Sequence, residues 1–165
     1  MASLAHISVG LAAGRAAAPG PRFRLMAAFA ALSMLPDLDV LAFRLGIPYA
    51  APFGHRGATH SILFALVAGG AFAALAGRSW RFALFACATA LSHPLLDALT
   101  DGGLGVALFW PFSNARYFAP WRPIPVAPIG ARILGARGLH ILAQEALWTA
   151  PLLIYALWPR RAARR

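Results

Sequence analysis

The chain has no lysine, one cysteine and five acidic residues in 165 positions. The lone Cys87 excludes an intrachain disulfide framework, and with too few cysteines a structural zinc site of the Cys-rich kind is excluded too. Charged residues make up only 12% of the chain, about half of the roughly 25% usual in soluble domains. Hydrophobic residues make up 60%, and the mean hydropathy is +0.65. The solvent expected for such a surface is lipid. All fifteen basic residues are arginine, for a net charge of +10. That charge would ordinarily point to nucleic acid, but the arginines fall singly or in pairs between apolar runs and form no basic face. They read as helix-end anchors and topology signals. No positive charge precedes the first apolar run and Arg15 falls late within it, so this segment is expected in the mature protein, not as a signal peptide.

Five apolar segments are present, roughly Leu4–Ala18, Leu25–Phe43, Ile62–Gly77, Phe82–Thr100 and Leu139–Trp158. Only the last has the roughly 20 residues of an ordinary span. Glycine, alanine and serine are abundant in them, which permits close helix packing in a bilayer. The expected fold is all-α: one integral membrane domain over residues 1–165, a polytopic bundle of about four to five helices. A Pro/Gly/Arg-rich stretch between Asp101 and Gly138 has no clear period, and its Trp, Tyr and Phe residues suit the membrane interface. If all five segments cross, Arg15, Arg22 and Arg24, then Arg78 and Arg81, then Arg160, Arg161, Arg164 and Arg165 share one side. The positive-inside rule makes that side cytoplasmic.

With this topology the ionisable residues gather near the outer ends of the segments. The five acids are Asp37, Asp39, Asp97, Asp101 and Glu145, and the five histidines are His6, His55, His60, His93 and His140. At 1.5 Å per helical residue, His93 lies about 10 Å below Thr100, and Asp37 and Glu145 each about 9 Å below their segment ends. One such residue is readily explained as a hydrogen bond to a neighbouring helix. A whole inventory at one depth is not, because ionisable groups in a bilayer are costly. Several carboxylates in low dielectric need protons or a cation, and histidine with carboxylate is a ligand set for zinc, manganese or iron. Spacing agrees. In "SHPLLDALTDGG" His93 and Asp97 are i and i+4, on one helix face. In "LPDLDV" Asp37 and Asp39 follow Pro36, which loosens the helix. In "HRGATHS" Gly57 permits a turn and His60 starts the next helix.

Other residues carry two readings each. Ser61 beside His60 has the form of a nucleophile, but an N-cap is the commoner use of a serine there. Arg56 and Arg116 suit bidentate phosphate binding or interfacial anchoring. His140 reads as a rim residue. A membrane-buried Glu145 is a ligand or a general acid/base.

Taken together, "AHISVG", "PDLD", "HRGATHS", "SHPLLDALTDGG" and "WPFSNARYFAPWRPIPVAPIG" resemble the bacterial family of membrane-bound metal-dependent hydrolases, across nearly the whole chain. The resemblance implies metal-site positions at His6, Asp37, Asp39, His55, His60, His93 and Asp97. In relatives an Asp-Pro pair often closes the long loop; here Ala127 precedes Pro128. The order His, Asp, His, then His-x-x-x-Asp is also similar to the ligands of bacterial zinc-dependent phospholipase C.

The expected function is a metal-dependent hydrolase of the bacterial inner membrane, its site facing outward, acting on a phosphoester or lipid-linked substrate. His6, Asp37, Asp39, His60, His93 and Asp97 would hold one or two divalent ions, zinc foremost. Glu145 or His55 would move protons, and Arg56 and Arg116 would clamp phosphate. Two other readings use the same residues. One is a metal-binding or transport protein without hydrolysis; the other treats the polar layer as interhelical glue.

Overall fold

The structure, a computed structural model, describes residues 3–17 and 23–159. Arg22, Arg160, Arg161, Arg164 and Arg165, part of the expected topology signal, lie outside the described residues. Five α-helices follow one another: α1 Ser3–Ala16, α2 Phe23–Met34, α3 Ile62–Leu75, α4 Trp80–Ala98 and α5 Ala136–Leu157. They coincide with the five apolar segments. No strand is present among the described residues; two isolated bridges, Thr100 with Ile124 and Val106 with Tyr117, fasten the long loop.

The segment lengths differ from the sequence-based expectation. α2 does not stop at Met34 but tightens into a 3-10 segment, Leu35–Leu45. Pro36 brings this about, since it has no N–H for the α-helical ladder. The continuous run Phe23–Leu45 has 23 residues and is, among the described residues, the one helix both long and apolar enough to cross a membrane. α1 and α3 have 14 residues each, a rise of about 21 Å against a hydrocarbon core of about 30 Å.

Small residues set the packing. α1 runs antiparallel to α2 with Gly10 and Gly14 in the seam: a Cβ on Gly10 would meet the Ala30 Cα at 2.4 Å, and one on Gly14 the Met26 Cα at 2.5 Å. A glycine pair four residues apart is a seam suited to close helix approach in lipid. Gly69 of α3 meets Cys87 of α4 in the same way, at 2.4 Å from its backbone nitrogen. Between these pairs Phe29 is fully buried against Leu32, Ala65, Ala86 and Ala90, with Phe72 and Phe82 set edge-on to its ring at 5.2 and 5.4 Å. Gly10→Val should therefore push α1 from α2. Overpacking of this kind costs about 1–3 kcal/mol and is expected to lower the melting temperature of the detergent-solubilised protein. An unchanged melting curve would place the seam elsewhere.

α5 lies beside α1 and runs parallel to it. Ser8 Oγ meets Thr149 Oγ1 at 3.2 Å, and Arg15 donates to the Ala156 carbonyl at 2.8 Å while its guanidinium stands over the Tyr155 ring. The bundle thus has two ends of different chemistry. Arg15, Arg24, Arg78 and Arg81 mark one end. The start of α1, the 3-10 segment, the last turns of α4 and the Arg56–His60 loop meet at the other.

Candidate metal centre

Local backbone features bring the polar residues together. The 48–57 loop is wound in successive turns, Ala51 N–H donating to Pro48, Gly54 to Ala51 and Gly57 to Gly54. The special backbone conformation falls on Arg56, at φ 60°, not on Gly57, whose φ is −88°. Gly57 serves close approach instead: a Cβ there would lie 2.2 Å from the Pro52 carbonyl. A non-glycine residue in the left-handed region is a mark of functional sites, and here it accompanies a 2% exposed arginine. His60 ends a 3-10 turn, Ala58–His60, rather than starting α3. Ser61 is the N-cap, its hydroxyl accepting from Phe64 N–H at 3.0 Å, so the capping reading describes it.

Four residues offer ligand atoms that all lie within 4.8 Å of one another: Asp37, His60, His93 and Asp97. His60 Nε2 is 3.7 Å from Asp37 Oδ1 and 3.4 Å from Asp97 Oδ2; His93 Nε2 is 3.4 and 3.9 Å from the same two oxygens. These separations exceed hydrogen-bond length. They approach the edges of a tetrahedron, since bonds of about 2.0–2.1 Å place neighbouring ligands about 3.3–3.4 Å apart. The Nε2 atoms of both rings are buried and make no hydrogen bond among the described residues.

The other ring nitrogens fix the tautomers. His93 Nδ1 lies 2.7 Å from the Ser33 carbonyl, which only accepts, so Nδ1 carries the proton and Nε2 the lone pair. That carbonyl is available because its partner in a 3-10 turn would be the N–H that Pro36 lacks. His60 Nδ1 is 3.1 Å from Asp39 Oδ2 and 3.1 Å from Thr59 Oγ1, and the Thr59 hydroxyl donates to the same carboxylate at 2.7 Å. Its Nδ1 is thus the protonated nitrogen as well. Burial disfavours a charged His60, but Asp39 at its Nδ1 and Asp97 near its Nε2 outweigh it and raise the pKa to about 9, so without an ion the ring holds a second proton, on Nε2, which a metal would displace.

Asp39 sits one layer further out. Its Oδ1 takes His55 Nδ1 at 2.6 Å, and its Oδ2 takes the Arg56 N–H at 3.0 Å besides Thr59 and His60. Asp39, His55 and His60 do form a second group within metal-binding distance, yet hydrogen bonds already occupy both oxygens. Carboxylates so placed orient ligand imidazoles, and their loss lowers metal affinity about 10–100-fold. Asp39→Asn is expected to show that loss in a chelator-competition titration, with the fold kept; equal affinity would remove Asp39 from the site.

His6 stacks on His93 with ring centroids 3.7 Å apart, and its Nε2 is 3.5 Å from Asp97 Oδ1. It is fully buried and makes no hydrogen bond among the described residues. It stands beside the four-residue group and outside its 4.8 Å circle. Arg56 Nε lies 3.1 Å from Asp97 Oδ2, an ion pair without good hydrogen-bond alignment, while Nη1 donates to Thr100 Oγ1 and the Gly102 carbonyl, each at 3.0 Å.

The remaining candidates lie apart. Arg116 does not flank Arg56 as a clamp. Its guanidinium donates to the carbonyls of His55, Tyr49 and Ala51 at 2.9, 3.0 and 3.1 Å, which staples the loop that carries Arg56. Glu145 Oε2 accepts from the Ala5 N–H at 3.2 Å, holding the first turn of α1 and with it His6. Asp101 is exposed and accepts from Val126 N–H, and His140 is exposed on α5. Thr59, Thr100 and the Ser33 carbonyl escaped sequence reasoning. The only signal for the threonines is their place beside His60 and three residues after Asp97.

A semi-open cavity of about 660 Å³ reaches this cluster, and Asp37, His55, Arg56 and Tyr49 are among its lining residues. The molecule is thus a small helical protein with lipid-compatible surfaces and a buried His/Asp cluster of metal-binding form. Comparison with known sequences narrows this. Residues 1–163 match the YdjM inner membrane protein family, and the chain is 41% identical to inner membrane protein YbcI of Escherichia coli (strain K12), over 94% of this chain and 93% of that one. The chain belongs to the YdjM inner membrane protein family, in agreement with the resemblance its motifs carry. No solved structure gives a significant match.

Proposed function

We propose that this protein is a multi-pass, metal-dependent hydrolase of the inner membrane, acting on a phosphoester at the outer face. The observation that carries this reading is the convergence of Asp37, His60, His93 and Asp97, with two buried imidazole Nε2 atoms that make no hydrogen bond among the described residues. Among the described side chains, Asp37, Asp39 and Asp97 bring more negative charge to the cluster than Arg56 offsets, which favours a cation there. Two histidines and two carboxylates at near-tetrahedral edges favour zinc. When bound, such an ion supplies Lewis acidity, polarising a phosphoryl oxygen and activating water.

The chain's own residues have distinct parts. Arg56 lines the cavity beside Asp37 and would meet an anionic oxygen. His55 holds its Nδ1 proton on Asp39, which leaves Nε2 as the basic atom of a cavity-lining ring and suits it to move a proton. His6 is a further ligand if coordination expands or a second ion binds. Glu145 is a positioning residue for α1. Orientation is supported by the sequence bias alone, nine arginines in the segments expected opposite the cluster against six on its side, and multiple crossings by the parallel run of α1 and α5.

Purified protein loaded with zinc or manganese is expected to hydrolyse at least one member of a phosphomonoester and phosphodiester panel, and Asp37→Asn to abolish that turnover. Normal metal binding without turnover on any member would defeat the hydrolase reading. Metal flux into liposomes would then favour transport.

A further inference from the structure

The 660 Å³ cavity has a largely apolar wall that the metal site does not require. Asp37, His55 and Arg56 belong to the cluster or adjoin it, Tyr49 and the exposed Arg44 add polar atoms, and Leu38, Leu41, Val126, Ile129 and Ile133 form much of the rest of the wall. Leu38 and Leu41 are 58% and 53% exposed, and Ile129 is 43% exposed. An apolar wall whose own residues also face outward opens onto lipid more readily than onto water. One side of the cavity belongs to the 3-10 continuation of the membrane-length run Phe23–Leu45. The other side is the 126–133 part of the long loop, so the mouth lies between two elements at the membrane interface. A ligand that satisfies both ends carries a negative head beside Arg56 and an apolar tail along the leucine and isoleucine wall.

We infer that the cavity is a lateral entry subsite for the apolar tail of an anionic, phosphate-bearing amphiphile that reaches the cluster from within the bilayer. The head-group half of this statement rests on the metal-site reading above; the tail half stands on the wall alone and is tested without turnover. The size agrees, since sites for small organic ligands span about 300–1,000 Å³.

The test uses the full-length protein in phosphatidylcholine nanodiscs doped with phosphatidic acid that carries a photoactivatable diazirine in its chain. Cross-links are mapped by mass spectrometry, and metal content is measured on the same sample. Labelling is expected to concentrate on residues 38–43 and 126–133 and to be competed by unlabelled phosphatidic acid, but not by glycerol phosphate. Ile133→Trp should lower labelling there about ten-fold or more, because a tail that must displace an indole meets an overpacking penalty worth at least that factor. Leu41→Trp fills the cavity from the opposite wall and serves if the first variant does not fold. Leu66→Trp, on an exposed face of α3, should change nothing.

Labelling spread evenly over the exposed helix faces overturns the inference, as does cavity labelling that both folded tryptophan variants leave intact, or displacement by glycerol phosphate alone. Even labelling in protein that holds its metal sinks the tail subsite and leaves the hydrolase reading standing. Focused labelling in protein that binds no metal supports the tail subsite and sinks the hydrolase reading.

Discussion

Replacing His93 and Asp97 by alanine is expected to take bound metal from near-stoichiometric to background, as read by elemental analysis of detergent-purified protein. The two side chains supply half of the four-atom group, and they stand one turn apart on α4, so a single helix presents both. The pair has no ready substitute. Asp39 is hydrogen-bonded through both oxygens, and His6, though 3.5 Å from Asp97, lies outside the group and is held in part by stacking on His93. Loss of the His93 ring also removes the surface on which His6 stacks. Because the double change disturbs packing, Asp97→Asn with His93→Gln is the companion, keeping volume and polarity while weakening coordination. Wild-type protein that is folded yet takes up no metal when loaded would leave the cluster as interhelical hydrogen bonding.

Arg56→Met should cause the largest loss of stability of any single change at the site. Arg56 is buried, and its Nε stands 3.1 Å from Asp97. Removing one partner of a buried pair typically costs about 3–5 kcal/mol, and the loss here falls toward the lower end because His6 and His60 stay beside Asp97. Methionine keeps much of the stem volume, so the loss reports charge more than cavity. The effect should be largest in metal-free protein and partly recovered on adding zinc, because the ion takes over neutralisation of Asp97. Thermal unfolding with and without zinc measures both arms. Equal destabilisation in the two states would show that Asp97 does not face the ion.

The helices were legible in the sequence because each apolar segment is bounded by arginine, glycine or proline, and all five segments became helices. The extent of the second was legible to within two residues at its end, but not its 3-10 form beyond Met34, which Pro36 sets. Scarcity pointed toward the cluster, since a chain with ten Asp, Glu and His residues and a lipid-like surface has few other reasons to hold them, but it did not separate out Asp101, His140 and Glu145, which lie apart. The separate parts of the cluster residues were not readable. The difference between Asp37, with an oxygen among the candidate ligands, and Asp39, bound to His55, His60, Thr59 and a backbone N–H, arises from where the 48–60 loop folds back, and no local pattern encodes that. The same holds for Arg116, whose guanidinium meets carbonyls more than sixty positions earlier in the chain.

The strapping of α1 to α5 bears on how the molecule is made. His6 sits in the first turns of α1, and the N–H just before it, on Ala5, is held by Glu145, 140 positions later. Arg15 reaches Ala156, 141 positions later. During synthesis α1 leaves the ribosome first and α5 last of the five, so the earliest candidate ligand is anchored only once α5 has been made. A nascent chain arrested before α5 would carry His60, His93 and Asp97 but lack the brace that sets His6, which makes maturation of the centre a late event in membrane insertion.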